Sequence, residues 1–422
     1  MTTQTTTPRR AGGTRTPLLA LAVAAAFTGC VASRHGLPHY AATDEPAAQS
    51  LPGAVVAPAL RSLSVGASHG CGLTDDGSAY CWGSNAFGQL GAGAETAEST
   101  HPVRVAGELR FTQVSAGAAH SCGVATTGEI YCWGLASDGQ LGVPLDGTLC
   151  DGFACSRRPI RVATGRRFEQ VSAGYQHSCA LSQGAAFCWG RNVRGELGVA
   201  TTTNACGGIP CSVVPAAVET KRSFSTISAR GEHSCALSDG VAYCWGDNRD
   251  GQLGIGTGAE LVVRPTAVVG SRRFVEVAAG GRHSCGLTDR GSVYCWGSNR
   301  DGAVGVAFAG TSSTPQLVSA DARFAAITTS GAHSCAVARD GTAYCWGLDR
   351  SRQLGRRPAD ARRDGDARAR RSSPAPVAGL RGVTSLSAGG AATCAVTVDG
   401  TRCWGESAAA PVVARWSDPS PR

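Results

Sequence analysis

A Cys-Trp-Gly triplet closes at Gly83, Gly134, Gly190, Gly246, Gly297, Gly347 and Gly405, at intervals of 51, 56, 56, 51, 50 and 58 residues. A self-similar period of this length constrains the chain more than any other feature. Each copy must stack on its neighbours to bury a face, so a domain count based on length no longer applies. Seven copies fill nearly everything after residue 60 of the 422.

Each copy reads as strands and turns. With 57 glycines, 19 prolines and one methionine, and no long apolar stripe at helical spacing, a helical solenoid is excluded. In the fifth copy, residues 264–268 read as an edge-type strand and 274–280 as an alternating strand ending on glycine. His283–Thr288 and residues 292–297 then face each other across a tight turn. The fold class predicted from four strands in each of seven copies is all-β, a seven-bladed β-propeller of four-stranded blades, because radial closure leaves few exposed edges.

The turns test that hairpin. In copies one, two, five and six the cysteines are ten apart, and their midpoints fall on Asp76, Thr127, Arg290 and Asp340, each followed by glycine. That predicts a three-residue loop ending in a left-handed glycine. In copies three and four the spacing is nine, centred on Gln183-Gly184 and Asp239-Gly240, which predicts two-residue turns. Both arrangements set the cysteines opposite each other. In the seventh copy Gly400 is followed by Thr401-Arg402-Cys403, a return strand that reads as one residue short, so Cys394 and Cys403 are predicted to fall out of register.

Valine-serine-alanine-glycine, histidine-serine-cysteine, a turn glycine, tyrosine-cysteine-tryptophan-glycine, asparagine and glycine-glutamine-leucine-glycine follow one another through residues 114–142, 171–198, 227–254 and 277–305. This pattern resembles the repeat of the regulator of chromosome condensation family, over about 350 of the 422 residues. The resemblance implies a seven-bladed propeller acting through protein contacts. It also raises guanine-nucleotide exchange, the activity of the family's nuclear namesake, as an alternative.

The N-terminus reads as an export signal. Arg9, Arg10 and Arg15 precede an apolar run over residues 18–27 and small residues before Cys30. The run is too short to span a bilayer. Phe27-Thr28-Gly29-Cys30 resembles a bacterial lipobox, although Phe27 stands where that pattern prefers leucine. The predicted organisation is a signal peptide over 1–29, a lipid-anchored flexible tether over 30–60 rich in alanine and proline, and the propeller over 61–416, with repeats centred on Trp82, Trp133, Trp189, Trp245, Trp296, Trp346 and Trp404. An ordinary cleaved signal is the alternative to lipidation at Cys30. Residues 410–414 and 51–56 both resemble a first strand, so one terminus is expected to complete a blade begun by the other.

Nineteen cysteines leave one unpaired, and Cys30 is that one. In an exported chain the rest are expected as disulfides: Cys71 with Cys81, Cys122 with Cys132, Cys179 with Cys188, Cys235 with Cys244, Cys285 with Cys295, Cys335 with Cys345, and provisionally Cys394 with Cys403. Cys150 with Cys155 and Cys206 with Cys211 would pinch two longer connections. A zinc ion shared by these four is the alternative.

His69, His120, His177, His233, His283 and His333 each precede the first cysteine by two residues. They raise a metal or proton site, against the simpler reading that each makes the same local hydrogen bond in its blade. The tryptophans are expected to pack between blades. No catalytic constellation, metal site or cofactor is read from the sequence.

The net charge of +8 is local: the three N-terminal arginines account for three, and nine arginines against four aspartates over 349–371 account for five. The body is therefore close to neutral, which excludes the basic stripe of a nucleic-acid binder. Residues 356–376 are expected to form an arginine-rich mobile loop, either a contact for an acidic surface or a tolerated insertion. The function expected is a non-enzymatic, monomeric cell-envelope scaffold for an unidentified protein partner, touching membrane only through its lipid. A hydrolase or lyase on the propeller face is a further alternative.

Overall fold

The computed structural model describes residues 58–145, 147–200, 204–318, 322–355 and 370–406. The signal peptide, Cys30, nearly all of the tether and both segments proposed to close the ring lie outside the described residues.

The fifth blade shows the plan. Phe274–Ala279, His283–Thr288, Val293–Ser298 and Thr311–Leu317 form one antiparallel sheet in that order. The fourth strand is therefore the one that follows the Cys-Trp-Gly triplet. The sequence reading had placed a proline-containing strand, 264–268, at the head of the fifth copy. The structure instead makes Leu261–Ala267 the outer strand of the fourth blade, paired with Val241–Asp247. A strand's own residues do not record which of two flanking hairpins it joins, and here it joins the preceding one.

A bulge fixes this outer pairing. Cys295 lies opposite Gln316, and the next pair is Gly297 with Ser312, so Trp296 faces three bulged residues that include Pro315. Proline costs little there, because an edge strand and a bulge both dispense with its missing N–H. Gly297 has φ 102°, and a Cβ on it would stand 2.6 Å from the Arg282 carbonyl oxygen, so only glycine ends the triplet.

The predicted hairpin turns are present. Gln183 and Gly184 have φ of 50° and 79°, and Asp239 and Gly240 of 49° and 77°, the signature of two-residue type I′ turns. In the seventh hairpin the expected slip does not occur: Cys394 lies opposite Cys403, and Thr397 opposite Gly400. The residue missing from this copy was taken from the turn, now Val398-Asp399, so the strand register is preserved. The expected loop over 356–376 is also corrected in part. Arg370–Pro376 is the outer strand of the sixth blade, with Ala375 opposite Cys345, while 356–369 lies outside the described residues.

The core sits between blades. Leu237, Ala242 and Leu253 of the fourth blade pack with Phe274, Val277 and Trp296 of the fifth, and equivalent clusters recur around the ring. Phe274 tilts against Trp296 at 6.1 Å between ring centroids and meets Tyr294 edge-on at 6.3 Å. The seam joins Leu60, Val65 and Trp82 of the first blade to Ala392 and Val396 of the seventh. There the Val65 amide donates to Ser387 Oγ at 2.9 Å. Three strands of the seventh blade lie among the described residues: Val383–Gly389, Ala392–Thr397 and Gly400–Gly405.

Candidate binding surfaces around a clamped ring

Antiparallel order sorts the connections onto two rims. The Cys-Cys hairpin turns and the links between blades lie on one. The turns after the inner strands and the long connections to the outer strands lie on the other, here called the upper rim.

A single repeated clamp joins the blades. The carbonyl of Gln140 accepts from Trp189 Nε1 at 2.9 Å and from Ser178 Oγ at 3.1 Å, both on the next blade. The carbonyls of Gln89, Glu196, Gln252, Ala303 and Gln353 do the same. Each such hydroxyl spends its proton on that carbonyl, so it accepts from the histidine facing it, which assigns the proton to Nε2. His120 Nε2 meets Ser178 Oγ at 2.8 Å, and His69, His177, His233 and His283 meet Ser121, Ser234, Ser284 and Ser334 at 2.8 to 2.9 Å. His333 meets Thr393 Oγ1 at 2.9 Å.

Each imidazole makes one repeated structural bond, but it reaches the next blade instead of staying within its own as expected from the sequence. Burial lowers each pKa to about 3, so all are neutral donors at physiological pH. At the seam donor and acceptor are lost together: Ala392 replaces the histidine, and Gly70 of the first blade replaces the serine.

The glutamine that supplies the carbonyl is held by its own turn. Gln252 Oε1 accepts from the Asp250 amide at 2.9 Å, and Asn248 Oδ1 accepts from Leu253 at 3.0 Å. This explains the recurring asparagine and Gly-Gln-Leu-Gly in the sequence. Side-chain acceptors preset the turn that presents the clamp.

All nine bridges form. The seven within blades have Cα separations of 4.0 to 4.1 Å. Cys150–Cys155 and Cys206–Cys211 close their own loops at 5.8 and 5.9 Å, so their sulfurs are not four thiolates for a zinc ion. Each loop pair pins a small hairpin on the upper rim, Leu149–Cys150 against Phe153–Arg161 and Asn204–Cys206 against Ile209–Ala217. On the first of these, Leu149 is 56% and Phe153 53% exposed, and the Phe153 ring stands edge-on to Phe87 at 5.9 Å.

Farther round the same rim the surface is charged. Asp250 lies 3.6 Å from both Arg282 and Arg300, and Arg249 bridges Asp247 and Glu232.

The inner strands surround a polar channel of about 340 Å³. Successive blades are stitched around it by backbone amides donating to hydroxyls: Ala116 to Ser64, Ala279 to Ser228, and Ala388 to Thr328, at 3.0 to 3.2 Å. Two ionisable side chains line it, Arg230 and Glu276. Sequence reasoning missed both, although each is a visible departure from the repeat. Arg230 stands where Gly66, Gly117, Gly174, Gly280 and Gly389 stand in other copies, and Glu276 where Gln113 and Gln170 stand. Burial raises the Glu276 pKa to about 7, against an amide bond from Ile327 that lowers it.

Together these features define a seven-bladed propeller whose regular body is clamped blade to blade and whose variable chemistry sits on one rim and along the axis. Regulator of chromosome condensation (RCC1) repeats match at residues 76–124, 127–181, 183–237, 239–287, 290–337 and 340–396, and the chain belongs to that family. Each matched repeat runs from one blade's hairpin turn into the next blade's second strand. The ultraviolet-B receptor UVR8 of Arabidopsis thaliana is 32% identical over 203 residues, which is 47% of this chain and 43% of the receptor. The chain therefore spans less than half of that relative's length. Human WBSCR16 superposes with a TM-score of 0.69 at 21% identity, covering 79% of this chain and 86% of that one. Prp20p from Saccharomyces cerevisiae gives 0.65 at 23%, covering 78% and 80%. Likeness at this identity shows the fold.

Proposed function

We propose that the protein is a non-enzymatic binding scaffold of the cell envelope, anchored through a lipid at Cys30 and holding a protein partner on its upper rim. The observation that carries this reading is the hairpin pinned by Cys150–Cys155, which presents Leu149 and Phe153 to solvent on a rigid support. Apolar side chains held out on a pre-ordered loop lose little entropy on binding. Fold analogy adds weight: binding to Gsp1p and histones is described for yeast Prp20p, and a structure of yeast RCC1 (Prp20) bound to Kap60 is known. Export is supported by the signal-like N-terminus and by nine bridges that use every cysteine except Cys30.

The test is capture from envelope extracts with the bridges intact, comparing the natural chain with Leu149→Asp/Phe153→Asp. A defined partner recovered by the first and lost by the second is expected. An identical set from both would sink the rim assignment. Nucleotide release from a small GTPase, measured alongside, would favour the exchange-factor alternative. Metabolic labelling with palmitate, abolished by Cys30→Ser, checks the anchor.

A further inference from the structure

In five of the seven blades the residue three before the histidine position is glycine, and in the sixth it is Ser330, which hydrogen-bonds His333 Nδ1 at 2.6 Å. The fourth blade alone carries a long cation there. Arg230 crosses the axis, and its Nη2 donates to the Val65 carbonyl of the first blade at 3.2 Å. Its Nε is buried with no hydrogen-bond partner. Among the described residues no carboxylate lies within ion-pair distance of it. Burial lowers its pKa, with the Tyr175 phenol acting in the opposite direction. A half-buried guanidinium with an unpartnered Nε and no counter-charge beside it presents a donor that an anion would satisfy.

The rest of the channel supplies donors. Ser64, Ser228, Thr328 and Ser387 each accept a backbone amide from the next blade, and among the described residues none of these hydroxyls gives its own proton to a protein acceptor. All four line the channel with Arg230. Glu276, also lining it, has its pKa raised to about 7 by burial, so it is mostly neutral at pH below 7 and adds less opposing charge there.

The ends of the channel differ. Tyr175 Oη lies about 3 Å from where side chains on Gly281 and Gly331 would begin, so this phenol spans the upper mouth. At the lower end Gln170 and Thr226 line both the channel and an adjoining groove of about 530 Å³.

We propose that the central channel is a binding site for a small organic carboxylate, which enters from the lower rim and is held head-first by the Arg230 fork and the surrounding hydroxyls. One cation matches one negative charge, and the planar guanidinium matches the two oxygens of a carboxylate, so a monoanionic carboxylate is favoured over a dianion such as sulfate.

Calorimetric titration of the full chain at pH 6.5 with sodium propionate tests this, with sodium sulfate and sodium chloride at matched ionic strength as comparisons. Saturable propionate binding in roughly the millimolar range or tighter is expected. Arg230→Gly, which installs the residue of five other blades, and Arg230→Gln, which keeps a donor for Val65 without the charge, should each weaken binding by about tenfold or more. Arg230→Lys should fall between. If propionate shows no saturable binding, if sulfate binds equally well, or if a folded Arg230→Gly or Arg230→Gln variant retains natural affinity, the proposal is overturned.

Discussion

Protonating any of the six buried imidazoles would place a charge where neither water nor a carboxylate waits. A histidine held at a pKa of about 3 in the fold, against about 6.5 when unfolded, takes up a proton on unfolding between those values. Stability therefore falls as pH drops below about 6.5 towards 3, by up to ~1.4 kcal/mol per pH unit for each histidine. Denaturant unfolding at pH 7, 5.5 and 4.5 should show a steep loss, and His177→Asn should flatten the slope by about one proton.

Glu276 carries the opposite sign. Its folded pKa of about 7 is above the ordinary carboxyl value, so its contribution is present at low pH and is lost as pH rises through 7. Glu276→Gln keeps the acceptor for Ile327, as Gln113 and Gln170 do for Val171 and Ile227, so the melting temperature should rise at pH 8 and change little at pH 4.5. These two residues also show what the sequence made legible. Histidine at a fixed place in six copies announced a structural bond, whereas its partner, 51 to 60 residues away, was not readable because pairing across blades leaves no local trace. Arg230 and Glu276 were readable only as breaks in a pattern.

At the scale of strands and turns, local chemistry was the reliable guide. Turn length followed from cysteine spacing because a hairpin closes within about ten residues, and six of the seven registers were foreseen on that ground. The seventh register and the membership of the outer strand were misread because each depends on which residue the chain drops or which neighbour it joins. The two kinds of bridge should also behave differently. Replacing Cys235 and Cys244 by alanine removes a covalent tie across the inner hairpin of a packed blade and should cost roughly 2–3 kcal/mol in denaturant unfolding. Replacing Cys206 and Cys211 by serine loosens a hairpin on the rim. It should change global stability by less than about 1 kcal/mol while speeding amide exchange over 209–217, read by mass spectrometry.

For the whole molecule, a core distributed between blades means that no blade buries its faces alone. Unfolding should be one transition, coincident by far-UV circular dichroism and tryptophan fluorescence, rather than the graded loss of an open repeat array. The joints are not equal, however. Six carry a hydroxyl relayed from a histidine, while at the joint between the seventh and first blades Ala392 and Gly70 occupy those two positions, and the Val65 amide's bond to Ser387 crosses instead. The first described strand, Ser62–Val65, and the last, Gly400–Gly405, belong to the two blades of that joint. The ring is therefore a bracelet with a clasp: six links carry the histidine relay and one does without it. A pull transmitted through residue 58 reaches the clasp before any relayed joint, so mechanical load or a partner that prises blades apart would open the circle there first, and the relay would keep the remaining arc in one piece.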